Sequence, residues 1–331
     1  MERFALAAAV VLGFALTAAL CSLFVPLRRV LERREQNQQP VQSEQPRPAP
    51  LRAPLWGGLC AAAGTVAAVG VGWLAACVGQ PELLGSEGRL MTRLLTALAG
   101  SLAFGAVGLA EDLARMRSPA ALGLRRDVRL LLGALAAAFV LLLLQAAGCL
   151  PRGLDVPGAG YVLLGSAVPF LWAVLMVALA ECARIAERDE GTVCGAAFVA
   201  MLALMMAEAG LGVPGLAVLP AALAGALVAL LLWAFPPARL GVGCCGSLLA
   251  AGAIGCIPLS LDMTSLTVPL ALPFWAAGGL WAAQLLGAKR TGKPLRCWVK
   301  KHKMSPETVF LCSFALSAVG YVLALALLRW C

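Results

Sequence analysis

Ten stretches of the chain contain no Asp, Glu, Lys or Arg over at least 17 residues, and together they take up most of its length. They are 4–27, 53–81, 94–110, 130–151, 156–180, 191–207, 209–238, 240–261, 263–288 and 308–328. A helix needs roughly 17–25 apolar residues to cross the core of a bilayer. Because lipid offers no water to satisfy open backbone groups, such segments should be helical. The sequence therefore predicts an all-α, polytopic integral membrane protein with ten transmembrane helices.

The composition excludes a soluble globular protein. Of the 331 residues, 61% are hydrophobic and only 13% are charged, which leaves too little polar surface to cover a core. The 12 cysteines are too sparse for a disulfide-stapled secreted scaffold. We interpret residues 1–331 as a single transmembrane domain. Residues 4–27 are long for a signal peptide, so we interpret them as the first span, with a signal anchor as the alternative.

The basic residues predict the orientation of the spans. The connections after the odd-numbered spans hold 21 of the 26 Lys and Arg residues. The other five are Arg3, Arg89, Arg93, Arg152 and Arg329. By the positive-inside rule, the odd-numbered connections are cytoplasmic and both termini lie outside. The net charge of +9 then belongs beside anionic lipid head groups, which argues against a nucleic-acid partner.

The long connections lie on the predicted cytoplasmic side. Residues 28–52 include a polar stretch rich in Gln, Pro and Glu, which predicts a flexible linker. Residues 288–306 form a basic loop. The outer connections are short turns, so we expect any chemistry on the cytoplasmic side.

Carboxylates gather where the third and fifth spans meet the cytoplasm. They include Glu111, Asp112, Glu181, Glu187 and Glu190. If 181–190 is helical, three of them share one face with Arg184 at i,i+3 spacing. This pattern is typical of a solvated helix end with internal ion pairs. It is equally consistent with a cation site, because carboxylates from two loops could hold Mg²⁺ for phosphoryl transfer.

Two further segments on this side are candidates for phosphate binding. The Gly-rich loop 241–247 precedes the eighth span and could cradle a phosphate at the start of that helix, although such turns are common. The segment 289–293 (Lys-Arg-Thr-Gly-Lys) either binds phosphate or only fixes the topology. The vicinal pair Cys244–Cys245 is interpreted as small residues in a tight turn, with a redox or soft-metal role as the alternative.

Four segments carry a resemblance to a known family. They are Ala53-Pro-Leu-Trp-Gly-Gly58, the stretch from Gly108 to Arg115 around Glu111-Asp112, the stretch from Ala238 to Leu248, and the stretch from Lys289 to Leu295. In their order and spacing they resemble the motifs of the polyprenyl-phosphate N-acetylhexosamine-1-phosphate transferases. The chain is most similar to the phospho-N-acetylmuramoyl-pentapeptide transferase branch, and the resemblance covers nearly its whole length.

The resemblance implies a reaction and its participants. The family transfers a sugar-1-phosphate from a UDP-sugar to polyprenyl phosphate with Mg²⁺, releasing UMP. It would place this protein in the bacterial cytoplasmic membrane, in contact with membrane lipids, in cell-wall (peptidoglycan) precursor synthesis. Whether the protein forms a homodimer is left open by the resemblance. A site at the cytoplasmic ends of membrane helices would let a lipid acceptor and a cytosolic nucleotide meet.

The resemblance also implies roles for individual residues. The catalytic set is Glu111, Asp112 and Glu187. The metal set is Glu187, Glu190 and Cys244, the last at a family Asp position. The substrate-binding set is Arg129, Ser247, Lys289, Arg290, Lys293, Arg296 and His302.

Several departures from the family fall on these positions. Two family asparagines are Glu181 and Arg184 here, and Cys244 offers a soft thiol where Mg²⁺ prefers oxygen. The family's three-histidine loop falls on residues 296–298, with His302 out of register. Three hypotheses stay open: an active transferase with an altered site, a catalytically degenerate homologue that binds polyprenyl phosphate or a protein partner, and a secondary transporter. A transporter is the least favoured, because it would need polar or broken helices at mid-membrane.

Overall fold

The computed structural model describes residues 2–38, 56–79, 88–117, 123–151, 153–156, 160–163, 165, 167–187, 191–213, 215–235, 238–291 and 306–330. In this part of the chain the architecture is a bundle of helices with one small hairpin. The helices are α1 (Glu2–Gln38), α2 (Gly57–Gly79), α3 (Gly88–Arg117), α4 (Arg126–Ala146), α5 (Ala167–Ala186), α6 (Thr192–Gly210), α7 (Val218–Ala234), α8 (Gly243–Ser260), α9 (Thr267–Leu270), α10 (Leu272–Thr291) and α11 (Pro306–Trp330). A short 3₁₀ helix, Thr264–Leu266, precedes α9.

The prediction of a polytopic helical membrane protein is confirmed. Among the described residues, eight helices are long and apolar enough to cross a membrane: α1 to α6, α8 and α11. A segment bent by 64°, Thr264–Leu270 followed by Leu272–Ala283, would make a ninth span. The apolar helix α7 has 17 residues and lies where the seventh of the ten spans is predicted. That α7 crosses the bilayer as a tenth span stays a prediction.

A β-hairpin precedes α5 and shifts the start of the fifth span. Strands β1 (Gly153–Val156) and β2 (Gly160–Leu163) pair antiparallel, with Gly153 opposite Leu163. The predicted uncharged stretch began at residue 156, whereas α5 begins at Ala167. Hydropathy marks residues 156–166 as apolar, but their glycines and proline favour a turn over a helix.

The helices extend into both predicted cytoplasmic segments. Helix α1 runs to Gln38, so the first part of the predicted linker 28–52 is helical, and the remainder lies outside the described residues. Helix α10 runs to Thr291, so the predicted loop 288–306 begins within a helix. Residues 292–305 of that loop also lie outside the described part of the chain.

Helix α8 lies at the centre of the bundle, and every one of its residues is buried. It packs against α2, α3, α5 and α6, most extensively along the antiparallel α3. Small residues allow this approach, as in other membrane helix pairs: a Cβ added at Gly252 would lie 3.0 Å from the Cα of Ser101. The peripheral helices instead expose large apolar side chains, such as Phe170 and Leu171 of α5. The central pair α3–α8 places the C-terminal end of α3 beside the N-terminal end of α8.

Candidate functional site

Glycines bring three chain segments together at this end of the bundle. A Cβ at Gly108 would overlap the carbonyl of Cys244, so α3 and α8 make backbone contact there. The N–H of Gly57 donates to the carbonyl of Gly241 (3.3 Å), and the N–H of Gly58 donates to that of Val242 (2.9 Å). The start of α2 is therefore tied to the Gly-rich loop, beside the acidic end of α3.

Asp112 caps the N-terminus of α8. Its carboxylate accepts the backbone N–H of Cys244 at 3.0 Å and that of Cys245 at 2.9 Å, and only 1% of the residue is exposed. A helix N-terminus favours an anion because its first N–H groups lack helical partners. The position predicted to cradle a phosphate thus holds the chain's own carboxylate. Ser247, predicted to bind substrate, is fully buried and donates to the carbonyl of Cys244 (3.1 Å).

Arg115 lies among three carboxylates from two elements. Its Nη2 donates to Glu111 Oε1 at 2.9 Å, and its Nη1 donates to Glu187 Oε2 at 3.4 Å. The same Nη1 is 3.8 Å from Asp112 Oδ1. The three acidic side chains are at most 9% exposed, so their mutual repulsion is weakly screened and the guanidinium offsets it.

Cys244 faces the same group of side chains. Its thiol is fully buried and donates to Glu187 Oε2 at 3.1 Å. Glu187 therefore receives hydrogen bonds from both Arg115 and Cys244. The predicted metal ligands Glu187 and Cys244 are in contact, but through a hydrogen bond between them.

A second ion-pair cluster joins α4 to α5. Arg129 binds Glu181 through two nitrogens, at 2.6 and 3.1 Å. Arg184 also contacts Glu181, at 2.9 Å, and Arg129 lies 3.6 Å from Glu111. The interpretation of the stripe as internal ion pairs is confirmed for Glu181 and Arg184. The stripe does not continue along one helix, because α5 ends at Ala186.

The structure brings together only part of the predicted site. Glu111, Asp112, Glu187 and Cys244 share one cluster, and Arg129 reaches it through Glu111. Lys289 and Arg290 lie in the last turn of α10. Glu190, Lys293, Arg296 and His302 lie outside the described residues.

Arg115 is the residue of this cluster to which the sequence reasoning gave no role. Its spacing from Glu111 (i,i+4) and Asp112 (i,i+3) was the available signal, since such pairs face each other on a helix. The contact with Glu187, 72 residues away along the chain, had no signal in the sequence.

The side chains of this cluster do not form a Mg²⁺ site in their present arrangement. Mg²⁺ demands a near-octahedral shell of oxygens, whereas here a guanidinium lies among the carboxylates and both oxygens of Asp112 accept N–H groups. Cys244 adds a thiol, which is a poor ligand for this ion. Within the described part of the chain, no group of three or more His, Cys, Asp and Glu side chains is arranged to hold a metal ion. Among the described residues, the buried oxygen Glu111 Oε2 has no hydrogen-bond partner.

Comparisons with known proteins match the part of the chain that contains this cluster. Residues 94–262 match the sequence model of "Glycosyl transferase family 4". The chain is 28% identical to the phospho-N-acetylmuramoyl-pentapeptide-transferase of Mycobacterium tuberculosis over 266 residues, 72% of each protein. It is 32% identical to that of Desulforudis audaxviator over 170 residues, 48% of this chain and 50% of the relative. It is 30% identical to that of Synechococcus sp. over 212 residues, 63% and 55% respectively. The matched segment covers half of the chain and contains the whole acidic cluster, and the protein therefore belongs to glycosyl transferase family 4.

Proposed function

We propose that this protein binds polyprenyl phosphate at the cytoplasmic face of a bacterial membrane without transferring a sugar phosphate. The substrates of the family are a UDP-sugar and polyprenyl phosphate. The lipid is the ligand that a site at the end of membrane helices receives directly from the bilayer. The basic residues of the segment 289–303 supply positive charge for its phosphate.

The observation that supports a loss of turnover is that the carboxylates are paired with groups of the chain itself. Asp112 caps α8, while Glu111 and Glu187 are bound by Arg115. Sugar-phosphate transfer needs positive charge at the breaking diphosphate, and in the family Mg²⁺ supplies it. Here each of these carboxylates has at least one oxygen bound to a donor of the chain itself.

An active transferase with an altered site is the second candidate. It is favoured by the meeting of Glu111, Asp112 and Glu187, which come from separate parts of the chain and still lie in one cluster. In this case Arg115 would move away from the carboxylates, and Glu190 would complete the set of metal ligands.

The test uses purified protein in lipid nanodiscs. We expect saturable binding of labelled polyprenyl phosphate and no UMP release from a panel of UDP-N-acetylhexosamines, with or without Mg²⁺. The variant Lys289→Gln/Arg290→Gln/Lys293→Gln should weaken binding by at least about tenfold, because each charged contact to phosphate contributes about 1.5–3 kcal/mol. The control Arg117→Gln removes an exposed charge of α3 and should bind normally. Mg²⁺-dependent UMP release would establish the second candidate, and absence of binding would reject the proposal.

A further inference from the structure

A groove opens between α6 and α11 at the ends of these helices that are predicted to lie outside. Residues near the start of both helices are in contact, and residues near the end of both line the groove, so the two helices run parallel. A Cβ added at Gly195 would lie 2.7 Å from the ring of Phe310. About 22 Å further along α6, at the usual helical rise, a Cβ added at Gly210 would meet nothing within 4 Å. The helices therefore diverge towards their C-terminal ends.

The walls of this outer groove are apolar except at one position. Its volume of about 600 Å³ is within the range of about 300–1,000 Å³ that is typical of small-molecule sites. The lining includes Met206 and Leu211 of α6 and Val322 and Leu325 of α11. Met206 is 51% exposed and Val322 is 63% exposed, so these walls face the bilayer rather than the core of the bundle. Arg329 lies at the outermost end of the lining on α11.

Arg329 gives the outer groove a positive charge at its mouth. None of the ion pairs among the described residues involves this side chain. Glu208 of α6 does not offset the charge, because it is 1% exposed and is not part of the groove lining. An arginine at a membrane interface covers apolar surface with its stem and presents several donors to the head-group region. The groove thus combines an apolar channel with a cation suited to phosphate.

We propose that the outer groove binds one phospholipid of the outer leaflet, with an acyl chain between α6 and α11 and an anionic head group against Arg329. The lining on α11 from Val322 to Arg329 extends about 10 Å along the helix axis, and the hydrocarbon of one leaflet is about 15 Å deep. A partner's transmembrane helix would need a complementary face along the whole span, whereas α6 and α11 close against each other at Gly195. The positive charge favours a lipid of net negative charge, such as phosphatidylglycerol, over a zwitterionic one.

The test uses the full chain in nanodiscs that contain a trace of phospholipid with a photoreactive group at the end of one acyl chain. The probe is phosphatidylglycerol or phosphatidylcholine with identical chains, and mass spectrometry locates the cross-linked peptides. Labelling of residues 206–211 and 322–329 is measured relative to labelling at Phe170 and Leu171, an exposed apolar face of α5. We expect this ratio to be at least about fivefold higher with phosphatidylglycerol, because one arginine near a lipid surface contributes a factor of about this size.

Two variants separate the charge of the groove from its shape. Arg329→Gln should give the same ratio with both lipids. Gly210→Phe places a ring in the groove at a position where a side chain meets no neighbour, and it should abolish the preference for phosphatidylglycerol without unfolding the protein. The controls are Arg117→Gln, an exposed charge at the other end of the bundle, and Gly70→Phe, another open helical position. Both should behave as wild type.

Three results would overturn the inference. Equal labelling by the two lipids in wild type would mean that Arg329 interacts only with the end of its own helix. Groove labelling that persists in Gly210→Phe would mean that the acyl chain lies elsewhere. Loss of groove labelling with both lipids, together with cross-links between two chains, would identify a second copy of the protein as the occupant. Polyprenyl phosphate takes no part in this experiment, so the proposed function is tested separately.

Discussion

At the scale of single residues, Asp112 joins two helices that are distant in sequence. Its carboxylate accepts the N–H groups of Cys244 and Cys245 in a fully buried position. Removal of the carboxylate leaves two buried donors without partners, each at a cost of about 1–3 kcal/mol. The same change removes a favourable anion from the N-terminus of α8.

We therefore expect Asp112→Ala to lower the free energy of unfolding by about 2–4 kcal/mol. Chemical unfolding in detergent, followed by tryptophan fluorescence, measures the change. Asp127→Ala is the matched control, because Asp127 is an exposed carboxylate in the first turn of α4 and should change stability by less than about 1 kcal/mol. Similar losses for the two variants would contradict the capping role.

The residues of the site differ in how far the sequence predicted them. The meeting of Glu111, Asp112 and Glu187 followed from the order of the family motifs. The binding of Asp112 to backbone N–H groups did not, because a carboxylate at a helix end offers no sign of which distant helix it caps. Arg115 was visible only as a neighbour of Glu111 on the same helix. Its contact with Glu187 depends on how α3 and α5 pack, which no local pattern records.

At the scale of elements, the contact between the start of α2 and the start of α8 depends on glycine. A Cβ at Gly58 would overlap the backbone nitrogen of Gly246, which is not the end of a flexible side chain and cannot move aside alone. The adjacent hydrogen bond from Gly58 to Val242 fixes the two segments at this distance.

Gly58→Ala should destabilise the protein by about 1–3 kcal/mol through overpacking. Gly70→Ala on the same helix is the control: a Cβ there meets nothing within 4 Å. It should be neutral or stabilising by up to about 1 kcal/mol, because alanine favours helix. Thermal unfolding of both variants in one detergent makes the comparison. Equal behaviour would show that the junction adapts to the extra methyl group.

The elements themselves were largely predictable, since long uncharged stretches have few alternatives in a membrane. The exceptions are local. The hairpin β1–β2 lies inside a stretch that hydropathy alone assigns to a helix, and its glycines were the usable signal. The 64° bend between α9 and α10 lies between Pro269 and Pro273, and these prolines are a signal that a measure of hydropathy alone passes over.

At the scale of the whole molecule, the role of α7 decides the topology. In the part of the chain that the structure describes, the eight candidate spans and the bent segment would make nine crossings, which would leave the two ends of the chain on opposite sides of the membrane. With α7 as a tenth crossing both ends lie outside, as the distribution of Lys and Arg predicts.

Alkaline phosphatase fusions, which are active only outside the cytoplasm, test this arrangement. A fusion after Cys331 and one before Met1 should both be active, and a fusion at residue 45 should be inactive. A fusion within the loop between α7 and α8 should also be inactive, because that connection is predicted to be cytoplasmic. Opposite results for the two termini would mean that α7 does not cross.

The complete burial of α8 has a consequence for how the chain is assembled during synthesis. The helices that enclose it most closely, α2, α3, α5 and α6, all precede it in the sequence. A nascent chain that has inserted its first seven helices therefore lacks its central member until residues 243–260 arrive. The centre of the bundle is thus completed only when α8 enters between helices that are already in place, and Asp112 accepts the first N–H groups of that helix.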